Sequence, residues 1–334
     1  MQTLNCSFTA ASIVPKADDF RAYLEKSLRD PFTLNLHDCS LLEVIYACIK
    51  SKTKLHPNYR ASLGCLLFNL RELESRYRVR LQPIQITDVF WGYFIADCQS
   101  RGLRSSTINT LCSQLRSILN WAVKYNAPVS PTYSDFFAPR ARNQEIALTA
   151  DEVSRIAYFD IDRFYADRRK DFRETMHRIR DMFVLSCNLY QRHSDMIRID
   201  ASCFDRNIFR ITQQKTGSLA VVNIDRYSVD AKTTYRILEK YNYEAPYKGT
   251  IGNYNYYLHT LMRDIGLDEP IRREERRNGK LVVENTPKWK LISSHTARRT
   301  AITINVLRGH NIHAIKRCSG HTDLRVFDNY VRDE

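Results

Sequence analysis

A chain of 334 residues with 51 Lys and Arg against 37 Asp and Glu carries a formal net charge of +14 and a pI near 9.4. Its 43% hydrophobic and 26% charged residues describe a soluble globular protein with room for two domains, and no apolar run approaches the ~20 residues that span a bilayer. Nine scattered cysteines without a CxxC pair argue against a disulfide frame or a zinc site. Met1 to Pro15 lacks a secretion signal's basic-then-apolar pattern, so the expected location is the cytoplasm.

The charge is not evenly spread. Residues 1–50 hold 5 basic and 6 acidic side chains, residues 51–143 hold 13 and 5, and residues 144–334 hold 33 and 26. The net values are −1, +8 and +7, so the basic character starts near Ser51 and runs through both later regions. Such a surface attracts a polyanion, and nucleic acid is the expected partner.

Asp18 to Leu28 reads as a short helix ended by Asp30-Pro31, and Leu41 to Lys50 as a buried one. From Pro57, Tyr59, Leu63, Leu66, Leu67, Leu70 and Leu73 form the stripe of an amphipathic helix. A third helix, with Asp88 as its N-cap, runs to about Ser100. A fourth begins at Ser105 or Ser106 and runs to Lys124, with Ile108, Leu111, Cys112, Leu115, Ile118, Leu119 and Ala122 as its apolar face. Its polar face offers Arg104, Thr107, Asn109, Ser113 and Arg116, groups suited to a DNA groove and equally to a solvated surface.

Ala127 to Pro131 and Phe137 to Arg140 break the helical pattern with prolines and read as an extended linker. A second domain starts near Ala147, where Thr149 and Glu152 form a capping box. Met182 to Leu189 reads as a buried helix face leading into Tyr190-Gln191-Arg192-His193-Ser194-Asp195. There Arg192 and Asp195 could equally be a structural ion pair. Asn207 to Thr212 and Leu219 to Ile224 read as strands around a Lys215 turn, and helices follow from Ala231 to Tyr241 and Tyr254 to Asp264. Ile271 to Glu284 reads as a second hairpin turning at Asn278-Gly279, a basic flap or a solvated loop carrying Arg272, Arg273, Arg276, Arg277 and Lys280.

The last forty residues carry the chemistry. His295 and Arg298 share a helical face, a further helix spans Asn311 to Cys318, and His321 and Tyr330 follow. Arginine binds phosphate oxygens with two parallel hydrogen bonds, histidine donates hydrogen bonds or moves protons near neutral pH, and tyrosine is a nucleophile. Together they can handle a phosphodiester without a metal.

Arg192 in YQRHSD, Lys215 on a QKTG hairpin, HTAR at 295–298, Gly320-His321 and Tyr330 resemble the tyrosine recombinase (phage integrase) family in order, spacing and context, over roughly residues 40–334. HTARRT with GHTDLRVFDNY is similar to integrases and invertases of Bacteroides-type bacteria and their mobile elements. The resemblance implies a mainly α protein with a small β-sheet or hairpin element. Its parts would be a short extension (1–40), a helical core-binding domain (41–126), a linker (127–146) and an α+β catalytic domain (147–334). It implies that Tyr330 attacks the scissile phosphate, that Arg192 and Arg298 clamp its oxygens, and that Lys215 protonates the leaving 5′-oxygen. His295 would take up the tyrosine proton, His321 would donate to the phosphate, and Asp195 would support Arg192. No cofactor or metal is expected. The implied partners are duplex DNA bearing a specific, inverted-repeat site and three further copies of the chain, with room for accessory DNA-bending proteins.

The sequence departs from the family in places. Tyr190-Gln191 stands where Gly-Leu or Gly-Gln often precedes the first arginine. Only Val331 to Glu334 follow Tyr330, where family members carry a longer tail that docks on a neighbouring subunit; either this chain is cut short or the Tyr330 segment itself makes that contact. Residues 1–40 are too short and insufficiently basic for an arm-site domain, which favours an invertase or Xer-like resolvase. Integration, excision, inversion and resolution all stay open. A type IB topoisomerase-like relaxing enzyme and a non-catalytic DNA-binding protein of the same fold are the alternatives.

Overall fold

The computed structural model describes residue 36 and residues 39–52, 57–135, 145–277 and 280–321. The expected helix at 18–28 lies outside the described residues. The chain divides into two compact units, Met1–Asn143 with Glu274–Val282, and Gln144–Arg273 with Val283–Glu334. It is predominantly helical with two small antiparallel sheets.

In the first unit α1 (Leu41–Ser51), α2 (Pro57–Tyr77), α3 (Asp88–Ser100) and α4 (Ser105–Lys124) form a bundle in which α4 touches the other three. All seven positions of the α4 stripe are buried. They pack on Leu63, Leu66 and Leu70 of α2, and on Trp91 and Phe94 of α3, in one core. α1 starts at a capping box in which the Ser40 backbone N–H donates to Glu43 Oε2 at 2.7 Å. The buried Asp97 accepts from Arg76 at 3.0 Å and Arg101 at 2.9 Å, tying α2 to α3.

Two expectations are corrected here. The cap of α3 is Thr87, whose hydroxyl accepts from the Phe90 N–H at 3.2 Å, while Asp88 is the first helical residue and its charge faces the helix N-terminus. The proline-containing stretch after α4 begins not as an extended linker but packed on the bundle. Its prolines stop the helix, yet Ala127 and Ser130 are buried, and the Tyr133 carbonyl accepts the Trp91 indole N–H at 2.9 Å. A buried indole needs an acceptor, and this segment supplies it. Residues 136–144 lie outside the described residues.

The second unit is built on α6 (Lys170–Leu189), preceded by α5 (Ala150–Ala157) with the expected Thr149 capping box. From Met182 to Leu189 every residue of α6 is buried. α6 is covered by α5, α7 (Ala231–Lys240), α8 (Ile251–Asp264) and above all α9 (Ser294–Leu307). A three-stranded sheet of β1 (Phe204–Asp205), β2 (Ile208–Thr212) and β3 (Leu219–Asn223) runs antiparallel, with Thr212 opposite Leu219 at the turn. α10 (Ile312–Ser319) lies on β3. The second hairpin is longer than expected, β4 (Pro270–Arg277) paired with β5 (Lys280–Pro287). Among the described residues no helix is long and apolar enough to cross a membrane.

Phe183 is wholly buried in this core, so Phe183→Ala should destabilise the unit by ~3–5 kcal/mol. A urea titration followed by circular dichroism will read this as a fall in midpoint at constant slope.

Candidate active site

Arg192 starts a tight turn immediately after α6. The turn exists because Tyr190, the C-cap of α6, adopts a left-handed backbone with φ 63°. That conformation costs a non-glycine residue ~1–2 kcal/mol. Its buried ring and the hydroxyl that donates to the Tyr227 carbonyl at 2.7 Å offset the cost. The departure noted at Tyr190-Gln191 therefore has a local explanation: the backbone wants glycine, and the aromatic ring compensates.

The same turn aims the Tyr190 carbonyl at Arg298, which donates to it from Nη1 at 3.3 Å. Arg298 sits on α9 and is wholly buried, among the largest fully buried side chains of the described residues. Its Nη2 also lies 3.0 Å from His321 Nε2 and 3.2 Å from Nδ1. His321 follows Gly320, which ends α10 in a left-handed conformation at φ 65°. Ser319 Oγ lies 2.8 Å from His321 Nδ1 and donates its own proton to the Lys316 carbonyl at 3.1 Å. That network assigns the His321 proton to Nδ1 and leaves Nε2 to accept from Arg298.

Lys215 occupies the exposed turn between β2 and β3. The turn is closed by Gln213 N–H to the Ser218 carbonyl and Gly217 N–H to the Gln213 carbonyl, both 2.9 Å. Asp195, expected to support Arg192 and the local fold, donates its N–H to the Arg192 carbonyl at 2.9 Å, while its Oδ1 accepts from the Gln214 N–H at 2.8 Å and from Arg198 at 3.3 Å, anchoring the Lys215 turn. Arg192 is held by Gln213, accepting from Nη1 at 2.8 Å. The glutamines at 191 and 213 were missed in the sequence, although each stands within two residues of a predicted site residue.

Electrostatics tie five of the six expected catalytic residues together. Burial, then the charges of Arg298, Arg192 and Lys215, lower the pKa of His295 to about 4. Burial, then Arg298, Arg192, His295 and Lys316, lower that of His321 to about 3. Both imidazoles are thus neutral at pH 7 inside a strongly positive site, suited to receiving an anion. Tyr330 lies outside the described residues.

The candidate DNA contacts divide. On α4 and its N-cap, Arg104 and Ser113 are exposed, while Thr107, Asn109 and Arg116 are half-buried; Arg116 donates to the Ser134 carbonyl at 3.4 Å. Arg272 and Arg273 lie on β4, exposed and half-buried, and Arg276 and Arg277 continue the same strand.

This architecture, a helical bundle followed by an α+β unit, is the fold of the tyrosine recombinases. Three similar solved structures illustrate it. A lambda integrase dimer bound to a COC′ core site is 15% identical with a TM-score of 0.60, covering 94% of this chain and 85% of that one. The Tn1549 transposon integrase in complex with a circular intermediate DNA is 14% identical with a TM-score of 0.63, covering 88% of this chain and 95% of that one. The XerH recombinase on a palindromic difH substrate is 13% identical with a TM-score of 0.59, covering 87% and 81%. No family model matches the chain, and no curated protein matches it in sequence.

The lowered pKa of His321 fixes the sign of a pH effect. Between the folded value near 3 and the ordinary value of 6.5, the unfolded chain holds the extra proton, so this contribution is complete above pH 6.5 and is lost as pH falls. Unfolding free energies of wild type and His321→Asn, measured from pH 7 to 4, should diverge in slope by up to ~1.4 kcal/mol per pH unit. Parallel curves would contradict a neutral buried imidazole.

Proposed function

We propose that the chain is a site-specific DNA recombinase that cuts and rejoins duplex DNA through a 3′-phosphotyrosyl intermediate. One observation carries this reading: Arg192, Lys215, His295 with Arg298, and His321 come from four separate segments and share one positive site around two neutral imidazoles. The fold supports it, since similar structures include a lambda integrase tetramer on a Holliday junction and XerH in a post-cleavage complex.

In this reading the Tyr330 oxygen attacks the scissile phosphorus and the bond to the 5′-oxygen breaks. His295, unprotonated, accepts the tyrosine proton. The Lys215 ammonium delivers a proton to the leaving 5′-oxygen. Arg192 and Arg298 stabilise the charge growing on the non-bridging oxygens. An oxygen arriving at Arg298 competes with His321 Nε2, freeing the ring to reorient and donate to the phosphate. The phosphotyrosyl bond conserves the energy of the broken one, so strand rejoining reverses the same steps. Four copies on two paired sites complete the exchange. Arg104, Thr107, Asn109, Ser113, Arg116 and the arginines of β4 are candidates for holding the duplex.

The test uses duplexes enriched by the protein from a random pool, each then given a nick that traps the covalent product. Wild type should form a denaturant-resistant adduct and Tyr330→Phe none, while Arg298→Ala should cleave at least ~10²-fold more slowly. No adduct with wild type, or an undiminished one with Tyr330→Phe, defeats the proposal; relaxation of plasmids lacking any selected site would instead indicate a topoisomerase.

Affinity for the selected duplex should also fall steeply with salt, by a log–log slope of about −0.9 for each phosphate neutralised. A flat dependence measured by fluorescence anisotropy would contradict binding through a basic surface.

A further inference from the structure

We propose that Gln213 is a positioning residue of this site, anchored on the Ser319 backbone and holding Arg192 toward the scissile phosphate. The inference rests on the recombinase reading above and adds a residue to it. Gln213 is the last residue before the Lys215 turn and is 1% exposed. Its Oε1 accepts from Arg192 Nη1 at 2.8 Å and from Thr216 Oγ1 at 3.1 Å. Its Nε2 donates to Gln191 Oε1 and to the Ser319 carbonyl, each at 2.8 Å. Both lone pairs and both amide hydrogens are therefore used, the full capacity of the group.

The amide cannot be turned over. Reversal would place its NH2 against the Arg192 guanidinium and its oxygen against the Ser319 carbonyl. Gln191 is fixed in turn, donating to the Leu189 carbonyl at 2.6 Å and the Cys318 carbonyl at 2.9 Å. Two hydrogen-bonded amides thus join the Arg192 turn, the Lys215 hairpin and the end of α10, three segments separated in sequence. A second, independent feature is the backbone above them. A Cβ added to Gly320 would lie 2.7 Å from Gln213 Cδ and within 2.9 Å of both its polar atoms, so the chain passes directly over the amide. Ser218 Oγ adds a bond from the hairpin to the Gly320 carbonyl at 2.8 Å.

A neutral amide suits this place better than a carboxylate. It orients the guanidinium without cancelling its charge, which stays available to the phosphate. It also meets two further oxygens, at Gln191 and Ser319, where a carboxylate would be repelled.

The experiment is a double-mutant cycle on single-turnover cleavage of the nicked duplex, with Gln213→Met and Arg192→Ala alone and together. Gln213→Met should slow cleavage at least tenfold, leave the Kd for the same DNA within twofold, and add less than threefold when Arg192 is already alanine. General structural damage would lower cleavage in both backgrounds alike. Should Gln213→Met fail to fold by circular dichroism, Gln213→Asn takes its place in the same cycle. Its amide keeps the polarity but is too short to reach Arg192, so the same background-dependent loss is expected. An active wild type with unchanged cleavage in the folded variant, or a loss fully retained over Arg192→Ala, overturns the positioning role alone. No adduct with wild type removes this inference together with the recombinase reading.

Discussion

The buried guanidinium of Arg298 is the constraint on which the second unit's site depends. A charged group withdrawn from water carries a penalty of several kcal/mol unless its hydrogen bonds are met. Here the Tyr190 carbonyl and the His321 ring take part of that load. The requirement reaches outward: the carbonyl points correctly because Tyr190 is left-handed, and the ring is in place because Gly320 turns the chain there. A left-handed position at the end of each of two helices thus serves one side chain. For Gly320 it is the ordinary helix-ending conformation, whereas Tyr190 adopts it at a cost.

The glutamine pair extends the logic to Arg192 and Lys215. Side chains from a turn, a hairpin and a helix end are brought together here. Such an assembly has to be fastened by directed hydrogen bonds, because apolar packing alone is indifferent to orientation. Gln191 and Gln213 are wholly enclosed and internally satisfied, which makes them a specifying network and not a liability.

Much of the fold was legible because apolar periodicity carries it. All seven stripe positions of α4 and the continuous Met182 to Leu189 face of α6 are buried, as their spacing indicates. What was missed is mostly hydrogen-bond choice. Asp88 and Thr87 are both acceptable caps, and only the backbone entry angle selects Thr87. Proline-containing residues after α4 read as linker, but an indole N–H sought an acceptor there. At the site, residue type and order marked Arg192, Lys215, His295, Arg298 and His321, whereas the side-chain pairing that gives Asp195 to the Lys215 turn and Gln213 to Arg192 left no periodic trace. Polar pairing between distant segments is a tertiary fact, and a single chain of letters does not encode it locally.

The two neutral imidazoles have a consequence for timing. Burial first, and then the cations of the site, keep His295 and His321 from taking up protons. A negative charge arriving among them opposes that field, and both rings become more basic while it remains. In the proposed reaction an arriving phosphate would therefore make His295 a stronger proton acceptor, so binding and readiness for proton transfer are linked through charge.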